Sequence, residues 1–408
     1  MILDITIKNF RSFLYETTFS MEAISALSKE DNVISVDKIG RVLKSGVIFG
    51  PNAAGKSNFI AFAYLVRAFI LGVNTSDSRH VVNLYNPFAL RDRNTEESSS
   101  FIMRFIVNGT LYNYHIEVLG KRILRESLAC EYGDNDVELL IKRGEEEKEG
   151  VRILYSDKYN ESDIGVRITK KEQSILTPFL YVQASELSNV ATYIRNIQFD
   201  DLLYFPSGQL DDRILMLHHW IIQRKERKEK LLQYFQDAGI DVRDISFKNE
   251  PLSGRLNVYF THEVYDDNHM IVGSKKFPYE AESNGTIQLL FYAMRAISAF
   301  ETGSPMFADE FNDGLHTQVS QTLMDMFRSS ETNPKGAQLI ATTHDLYLMD
   351  ENNLRRDQIW FVDKSREGVS ELYSLVEFQD TTEGTPFAKW YLANRFGAAP
   401  LFNRNNKK

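Results

Sequence analysis

The segment Gly50–Ser57, with the sequence GPNAAGKS, constrains the fold more than any other part of the chain. It matches the pattern G-x-x-x-x-G-K-[ST], whose glycines let the backbone wrap around an anion without side-chain clashes. The apolar run 46–49 precedes the segment, and residues 58–71 follow it with the apolar spacing of a helix. A strand, a loop and a helix in this order predict an α/β fold in which the helix N-terminus faces phosphates. The alternative is a glycine-rich turn that carries a lysine by chance.

Five residues of this loop are candidates for contacts with a nucleoside triphosphate and its metal ion. Gly50, Asn52 and Gly55 belong to the cradle of backbone N–H groups. Lys56 would reach the β- and γ-phosphates, and the hydroxyl of Ser57 would bind Mg²⁺.

The composition limits the class of protein. With 408 residues, the chain can form one large α/β domain with an insertion, or two domains. A net charge of −9 argues against a general nucleic-acid coat, so any DNA contact would need a local basic patch. The single cysteine, Cys130, excludes a disulfide framework and a cysteine-built zinc site. No secretory signal and no apolar run of about 20 residues is found, so we expect a soluble cytoplasmic protein without membrane contact.

A phosphate loop predicts a second buried strand that ends in an acidic residue. The apolar residues 306–308 are followed directly by Asp309 and Glu310. Asp309 would bind Mg²⁺, directly or through water. Glu310 would orient or deprotonate the attacking water at the carboxyl edge of the sheet. Because many strands end in an acid at a turn, a purely structural role is the alternative.

A histidine follows the next apolar run, at a point where it could also contact the nucleotide. His344 lies in the sequence TTHD after residues 338–341. It could hydrogen-bond the γ-phosphate or the attacking water. In the alternative interpretation, Thr343 or Asp345 simply caps the next helix.

The segment ESNGT lies at the start of a helix that we predict over 283–300. In isolation, Ser283 is an N-cap residue and Gly285 a flexible glycine. Together, the serine hydroxyl, the glycine amide and the helix dipole would form a second anion site. Because the chain already has one phosphate loop, such a site makes sense if it serves the nucleotide of a neighbouring chain.

The first half of the chain also contains segments rich in β-forming residues. Residues 2–8 and 13–20 have strand patterns, and residues 101–132 predict an antiparallel meander with a hairpin turn at Asn108-Gly109. The charged residues 133–172 are expected to form a solvated loop.

The second half begins with a helical pattern over 210–235, whose middle carries the basic strip Arg224–Lys230. The strip is either a solvated helix face or a contact strip for DNA or a partner. Strands and helices alternate from residue 255 onwards, with a helix predicted over 316–328, an edge hairpin over 359–378 and a last helix over 387–395.

These motifs together resemble an ABC-type ATPase head of the SMC, RecF and OLD lineage, and most closely the RloA/AbiL-like ATPases of prokaryotic anti-phage and abortive-infection loci. The resemblance covers nearly the whole chain. GPNAAGKS resembles the Walker A motif, ESNGT the signature motif, FADEFNDGLH the Walker B motif with the D-loop, and ATTHD the switch-histidine segment. Residues 7–13, 113–128 and 391–400 resemble the opening strand and turn, the β-meander and the C-terminal motif.

The resemblance implies an α/β P-loop NTPase of the ABC/SMC-head type, with a mostly parallel central sheet, an antiparallel β-meander subdomain and a helical insertion. ATPase lobes would cover residues 1–184 and 246–408, with the insertion over 185–245. ATP and Mg²⁺ would be the cofactors, with Glu310 and His344 in catalysis. Two heads would pair head-to-tail, in dimers or larger homo-oligomers, so that Ser283 and Gly285 of one complete the site of the other.

Arg11 would touch phosphate from the N-terminal turn, and Gln183 is one candidate for the residue that senses Mg²⁺ in many relatives; a plain polar residue at a helix start is the alternative. The resemblance also implies a sensor or regulatory ATPase that controls a separate effector, such as a TOPRIM nuclease. The chain ends soon after its ATPase motifs, and Asp134, Asp136 and Glu138 are expected in a turn. The alternative function is a DNA-repair or DNA-associated ATPase in the manner of RecF, and a transporter subunit is disfavoured because the signature is not LSGGQ.

Overall fold

The computed structural model describes residues 1–24, 27–72, 84–91, 96–132, 136–147, 150–159, 171–182, 185–199, 210–250, 254–382 and 384–399. Within these ranges the strands are β1 (Ile2–Lys8), β2 (Thr17–Ser20), β3 (Val33–Val36), β4 (Gly40–Leu43), β5 (Ser45–Phe49), β6 (Ser99–Val107), β7 (Thr110–Leu119), β8 (Arg122–Glu131), β9 (Val137–Glu147), β10 (Gly150–Tyr155), β11 (Gln198–Phe199), β12 (Asp244–Asn249), β13 (Leu256–Tyr265), β14 (Ile271–Pro278), β15 (Met306–Ala308), β16 (Leu339–Thr343), β17 (Ile359–Lys364) and β18 (Ser370–Ser374). The helices are α1 (Lys56–Leu71), α2 (Glu186–Asn196), α3 (Leu210–Gln223), α4 (Lys225–Asp237), α5 (Asn284–Thr302), α6 (Thr317–Arg328) and α7 (Phe387–Leu392).

A six-stranded sheet forms the centre of the fold, in the order β11-β15-β16-β5-β17-β18. Its strands pair in parallel except for the edge strand β18, which is antiparallel to β17. Every residue of β5, β15 and β16 is buried, as expected where helices cover both faces of a parallel sheet. The predicted α/β fold with a mostly parallel central sheet is therefore confirmed, and so is the edge hairpin, which is formed by β17 and β18.

A seven-stranded antiparallel sheet, in the order β10-β9-β8-β7-β6-β1-β2, contains the predicted meander. Asn108 and Gly109 have φ values of 51° and 78°, the positive values that a tight two-residue hairpin turn requires. The prediction of a solvated loop over 133–172 is wrong, because β9 and β10 extend this sheet. Ile141 and Val151 are buried on these strands, whereas their exposed charged side chains conceal the strand pattern in the sequence.

Two predicted elements are shorter or interrupted. The strand expected over 13–20 is confined to β2, since Phe10 and Phe13 exchange backbone hydrogen bonds in a tight turn. The single helix expected over 210–235 is divided into α3 and α4, because Arg224 has an extended backbone with φ −149° and ψ 117°. The break lets α4 pack its own apolar face against α5.

The other helices agree with the sequence expectations within a few residues. α5 and α6 occupy the segments predicted as helices over 283–300 and 316–328, and α7 ends before residue 395. The segment 185–245 contains α2, α3 and α4 and also β11, which joins the parallel sheet. No helix among the described residues is both long and apolar enough to cross a lipid bilayer.

Aromatic packing anchors α1 against the seven-stranded sheet and the turn after β1. The Phe62 ring stacks on Phe10 with centroids 4.2 Å apart and meets Phe101 of β6 edge-on at 5.4 Å. Phe59 packs against Phe19 of β2 at 5.4 Å. Each buried phenyl ring contributes roughly 1.5–3 kcal/mol through the burial of apolar surface. This packing positions the N-terminus of α1, and with it the end of the glycine-rich loop.

Candidate nucleotide-binding site

The loop 50–55 joins β5 to α1, and close packing restricts two of its positions to glycine. A Cβ atom on Gly50 would overlap the carbonyl oxygen of Val362 on β17. Gly55 has a φ of +124°, and a Cβ atom there would overlap the hydroxyl of Ser370 on β18. Only glycine combines this backbone conformation with so close an approach. The neighbouring strands therefore determine the path of the loop.

Polar side chains from the N-terminal turn and β18 also hold this region. The Ser370 hydroxyl donates a hydrogen bond to the carbonyl oxygen of Ala54. Asn58 Nδ2 donates to Ser12 Oγ at 2.7 Å, and Arg11 Nη1 donates to Asn58 Oδ1 at 3.2 Å. The exposed cation of Arg11 thus lies beside the first turn of α1. Sequence reasoning singled out Arg11 but missed Ser370, which belongs to a distant strand.

Lys56 begins α1 and is only 5% exposed. Its ammonium group turns back onto the loop, where Nζ donates to the carbonyl oxygens of Gly50 at 2.8 Å and Pro51 at 3.0 Å. Burial lowers the pKa of Lys56, and the negative charges of Asp309 and Glu310 act in the opposite direction. The lysine and the two acids therefore lie within electrostatic reach of one another.

The sheet register explains why these acids lie at one edge with the loop. β15 pairs with β16 so that Ala308 is opposite Ala341, and β16 pairs in turn with β5. Asp309, which is 3% exposed, accepts a hydrogen bond from the Thr342 hydroxyl through Oδ1. Its Oδ2 atom is buried and has no hydrogen-bond partner among the described residues. Glu310 follows with a left-handed backbone, φ +49°, that non-glycine residues rarely adopt.

The unpaired Asp309 Oδ2 fits a divalent cation, since a buried carboxylate oxygen without a partner is costly. Mg²⁺ takes oxygen ligands and is commonly held by one or two protein groups together with substrate phosphates. Ser57 adds an exposed hydroxyl in the first turn of α1. Across the described ranges, no group of three or more His, Cys, Asp or Glu side chains could hold a metal alone. A cation at Asp309 would therefore need phosphate or water oxygens as well.

The histidine segment lies at the end of β16, between the strands that lead to the loop and to the acids. His344 is exposed directly after β16. Asp345 caps the short 3₁₀ helix Leu346–Leu348 by accepting a hydrogen bond from Tyr347 N at 3.0 Å. The segment therefore combines an exposed histidine, His344, with a capping residue, Asp345.

The ESNGT segment forms the start of α5. Ser283 caps α5 by accepting a hydrogen bond from Thr286 N at 3.1 Å, and the serine is exposed. A Cβ atom on Gly285 would lie 2.9 Å from the carbonyl oxygen of Gly314, so this segment contacts the turn that follows Glu310. The loop, the histidine segment and the acids therefore follow the adjacent strands β5, β16 and β15, and the ESNGT segment lies beside the turn after the acids.

Gln183 and Asp134 are outside the described residues, Asp136 precedes β9, and Glu138 lies on β9 rather than in a turn. Asn52 is exposed in the loop itself.

Three cations of the basic strip 224–230 are engaged in ion pairs. Arg224 contacts Glu301 of α5 at 3.7 Å. Arg227 contacts Glu301 of α5 at 2.7 Å, and Lys228 contacts Asp244 of β12 at 2.5 Å. Arg227 also lies over the Trp220 ring, 5.0 Å from its centroid. These contacts attach α4 to its neighbours and leave the strip less basic than its sequence suggests.

Residues 47–350 match the profile of the family described as "AAA domain, putative AbiEii toxin, Type IV TA system". No curated protein matches the chain. Among solved structures, an SMC head bound to the C-winged helix domain of ScpA is similar, with 15% identity, a TM-score of 0.48 and coverage of 91% of this chain and 97% of the other. The SMC head domain from Thermotoga maritima has 14% identity, a TM-score of 0.39 and coverage of 91% of this chain and 98% of the other. A third similar structure is an SMC head with an extended coiled coil, bound to the C-terminal domain of ScpA derived from Pyrococcus furiosus. It has 14% identity, a TM-score of 0.42 and coverage of 91% of this chain and 96% of the other.

Proposed function

The chain belongs to the family described as "AAA domain, putative AbiEii toxin, Type IV TA system", and we propose that it is an ATPase that hydrolyses ATP with Mg²⁺. The grouping of one lysine and two acids at the end of the loop carries this proposal. The loop lysine Lys56 lies within electrostatic reach of Asp309 and Glu310, while Asp309 keeps one buried oxygen without a partner. A lysine for phosphate, an oxygen for a cation and an acid for water are the groups that phosphoryl transfer to water needs.

Each residue has a distinct task in this proposal. The backbone N–H groups of the loop and the N-terminus of α1 bind the phosphates. Lys56 exchanges its bonds to Gly50 and Pro51 for bonds to the β- and γ-phosphates. Ser57 and Asp309 would hold Mg²⁺, which neutralises charge on the phosphates when bound. Arg11 adds a positive charge beside the same helix start.

Glu310 and His344 are proposed to act on the attacking water. Glu310 directly follows Asp309, which would hold the metal ion, and its carboxylate would accept a proton from the attacking water. His344, exposed at the end of the adjacent strand β16, would hydrogen-bond the γ-phosphate or the same water.

The proposed activity is tested by steady-state hydrolysis of ATP by the purified chain, with Mg²⁺ and with EDTA. We expect turnover only with Mg²⁺, and loss of that turnover in Asp309→Asn. Phosphate release that is equal with Mg²⁺ and EDTA, or equal in Asp309→Asn, would contradict the proposal.

We further propose that a second copy completes the site. Ser283 and the amide of Gly285 lie at the exposed start of α5, where the helix dipole favours an anion. Within its own chain this segment lies beside the turn that follows Glu310. In a head-to-tail pair it would meet the γ-phosphate bound to the loop of the other copy.

Ser283→Arg tests this pairing. A large cation at the exposed cap should prevent the one composite site that it faces from closing on ATP, but it does not touch the loop of its own chain. We expect ATP binding within about threefold of wild type and hydrolysis reduced by at least about tenfold, as for loss of a contact made only in the transition state. Equilibrium binding and steady-state rates measured on one preparation separate the two effects. Full activity in Ser283→Arg would exclude the composite site.

For the biological role, we propose a sensor or regulatory subunit that controls a separate effector, such as a nuclease, in a prokaryotic anti-phage system. The support is the description of the matched family, which names a toxin and a Type IV TA system, together with the motif resemblance. Purification of the tagged chain from its native locus, with ATP and in Glu310→Gln, should capture the product of a neighbouring gene. A chain that is recovered alone in every nucleotide state would argue against the effector.

The alternative, a DNA-repair or DNA-associated ATPase, has weaker support. It depends on the basic strip 224–230, and three of its cations, Arg224, Arg227 and Lys228, are already in ion pairs. DNA binding through phosphates would weaken steeply with salt.

A further inference from the structure

Thr342 lies on β16 beside the acidic pair Asp309 and Glu310, and it has no role in the motifs described above. It is the fourth residue of β16, fully buried, and follows Ala341, which is opposite Ala308 in the sheet register. Its side chain therefore lies beside the point where β15 ends and the acidic pair begins.

The hydroxyl of Thr342 donates one hydrogen bond to that pair and accepts another from it. Oγ1 donates to Asp309 Oδ1 and accepts from Glu310 N, at 2.9 Å for the second bond. The backbone carbonyl of Thr342 also accepts from Phe311 N at 2.8 Å. One residue of the neighbouring strand thus binds three successive residues after β15.

The backbone at this point needs such support. Glu310 has a φ of +49°, a left-handed conformation that costs free energy for a residue with a Cβ atom and that concentrates at functional sites. The hydrogen bonds that the backbone N–H groups of Glu310 and Phe311 donate to Thr342 stabilise this turn. The bond to Asp309 Oδ1 leaves Oδ2 as the carboxylate oxygen without a partner.

We propose that Thr342 is a positioning residue for ATP hydrolysis, a role that rests on the proposed ATPase function. Its hydroxyl selects the Asp309 oxygen that is presented to the cation and orients the Glu310 carboxylate through the peptide that precedes it. Thr342 itself touches neither phosphate nor water in this proposal. Its loss should change kcat and the Mg²⁺ dependence more than the affinity for ATP.

The experiment compares Thr342→Val with Thr342→Ser, because valine has the shape of threonine without the hydroxyl and serine restores it. In Thr342→Val we expect kcat to fall by about tenfold to a hundredfold, as for one hydrogen bond to a charged group. The Mg²⁺ concentration for half-maximal rate should rise, and KM for ATP should change by less than about threefold. Thr342→Ser should recover most of the rate. Thr342→Cys, with a weaker donor of similar size, should fall between them and replaces the valine variant if that does not fold.

Thr261→Val is the matched control. Thr261 is also a buried threonine in a strand, and its hydroxyl has no hydrogen-bond partner among the described residues, so this variant should keep the wild-type rate. Wild-type kcat and Mg²⁺ dependence in Thr342→Val, or equal loss in Thr342→Ser and Thr342→Val, would overturn the role of Thr342 while the ATPase stands. A wild-type chain without Mg²⁺-dependent turnover would instead overturn the ATPase, and this role with it.

Discussion

Lys56→Ala should raise the Kd for Mg²⁺-ATP by about tenfold to a hundredfold and remove measurable hydrolysis, because it deletes charge-assisted hydrogen bonds to phosphate. The ammonium group is buried, and within the part of the chain that the structure describes its hydrogen bonds go to carbonyl oxygens of its own loop. A phosphate can therefore take over these hydrogen bonds. The substitution places alanine at the start of α1, where it does not disturb the helix. Isothermal titration calorimetry with Mg²⁺-ATP measures this Kd directly.

Lys335→Ala is the control for this change in charge. Lys335 is exposed and precedes β16, at the opposite edge of the sheet from the loop. Its variant should bind and hydrolyse ATP as the wild type does. If Lys56→Ala bound ATP with unchanged affinity, the assignment of 50–57 as the phosphate loop would be wrong.

Glu310→Gln should separate binding from hydrolysis. Glutamine keeps the size and the backbone bond to Thr342, but it cannot accept a proton from water. We expect kcat to fall by about 10²–10⁴-fold, the range for loss of a general base, while the Kd for Mg²⁺-ATP stays within about threefold. Single-turnover hydrolysis and equilibrium binding should be measured on the same preparation.

The exposed Glu331→Gln provides the matched control, since it makes the same chemical change after α6 and away from the site. It should leave both kcat and Kd unchanged. Hydrolysis at the wild-type rate by Glu310→Gln would contradict the proposed role of Glu310. Another group at the same edge of the sheet, such as His344, would then have to accept the proton from water.

The sequence was most informative where function is encoded in consecutive residues. The apolar run 46–49, the glycines of the loop and the helix after Lys56 predict a strand, a loop and a helix without any distant contact, and these elements are present. The same holds for Asn108-Gly109, because positive φ at a two-residue turn is a local requirement.

The parts that could not be predicted depend on contacts between distant residues. β9 and β10 look like a charged loop, since only pairing with β8 shows which of their residues are buried. The break at Arg224 is likewise invisible in the sequence, because only the packing of α4 on α5 shows that the helical pattern is divided. Thr342 lies 33 residues from Asp309, and only the adjacency of β15 and β16 brings them together.

The central claim is that two copies of this chain form one ATP-hydrolysing site from the loop of one and the start of α5 of the other. Mixing Ser283→Arg with Glu310→Gln tests it most directly, since each variant alone should be nearly inactive. In a head-to-tail pair of the two, one site carries both substitutions and the other carries neither. An equimolar mixture should therefore regain about a quarter of the wild-type rate, from the half of the pairs that are mixed. A mixture no more active than its two components would contradict the shared site.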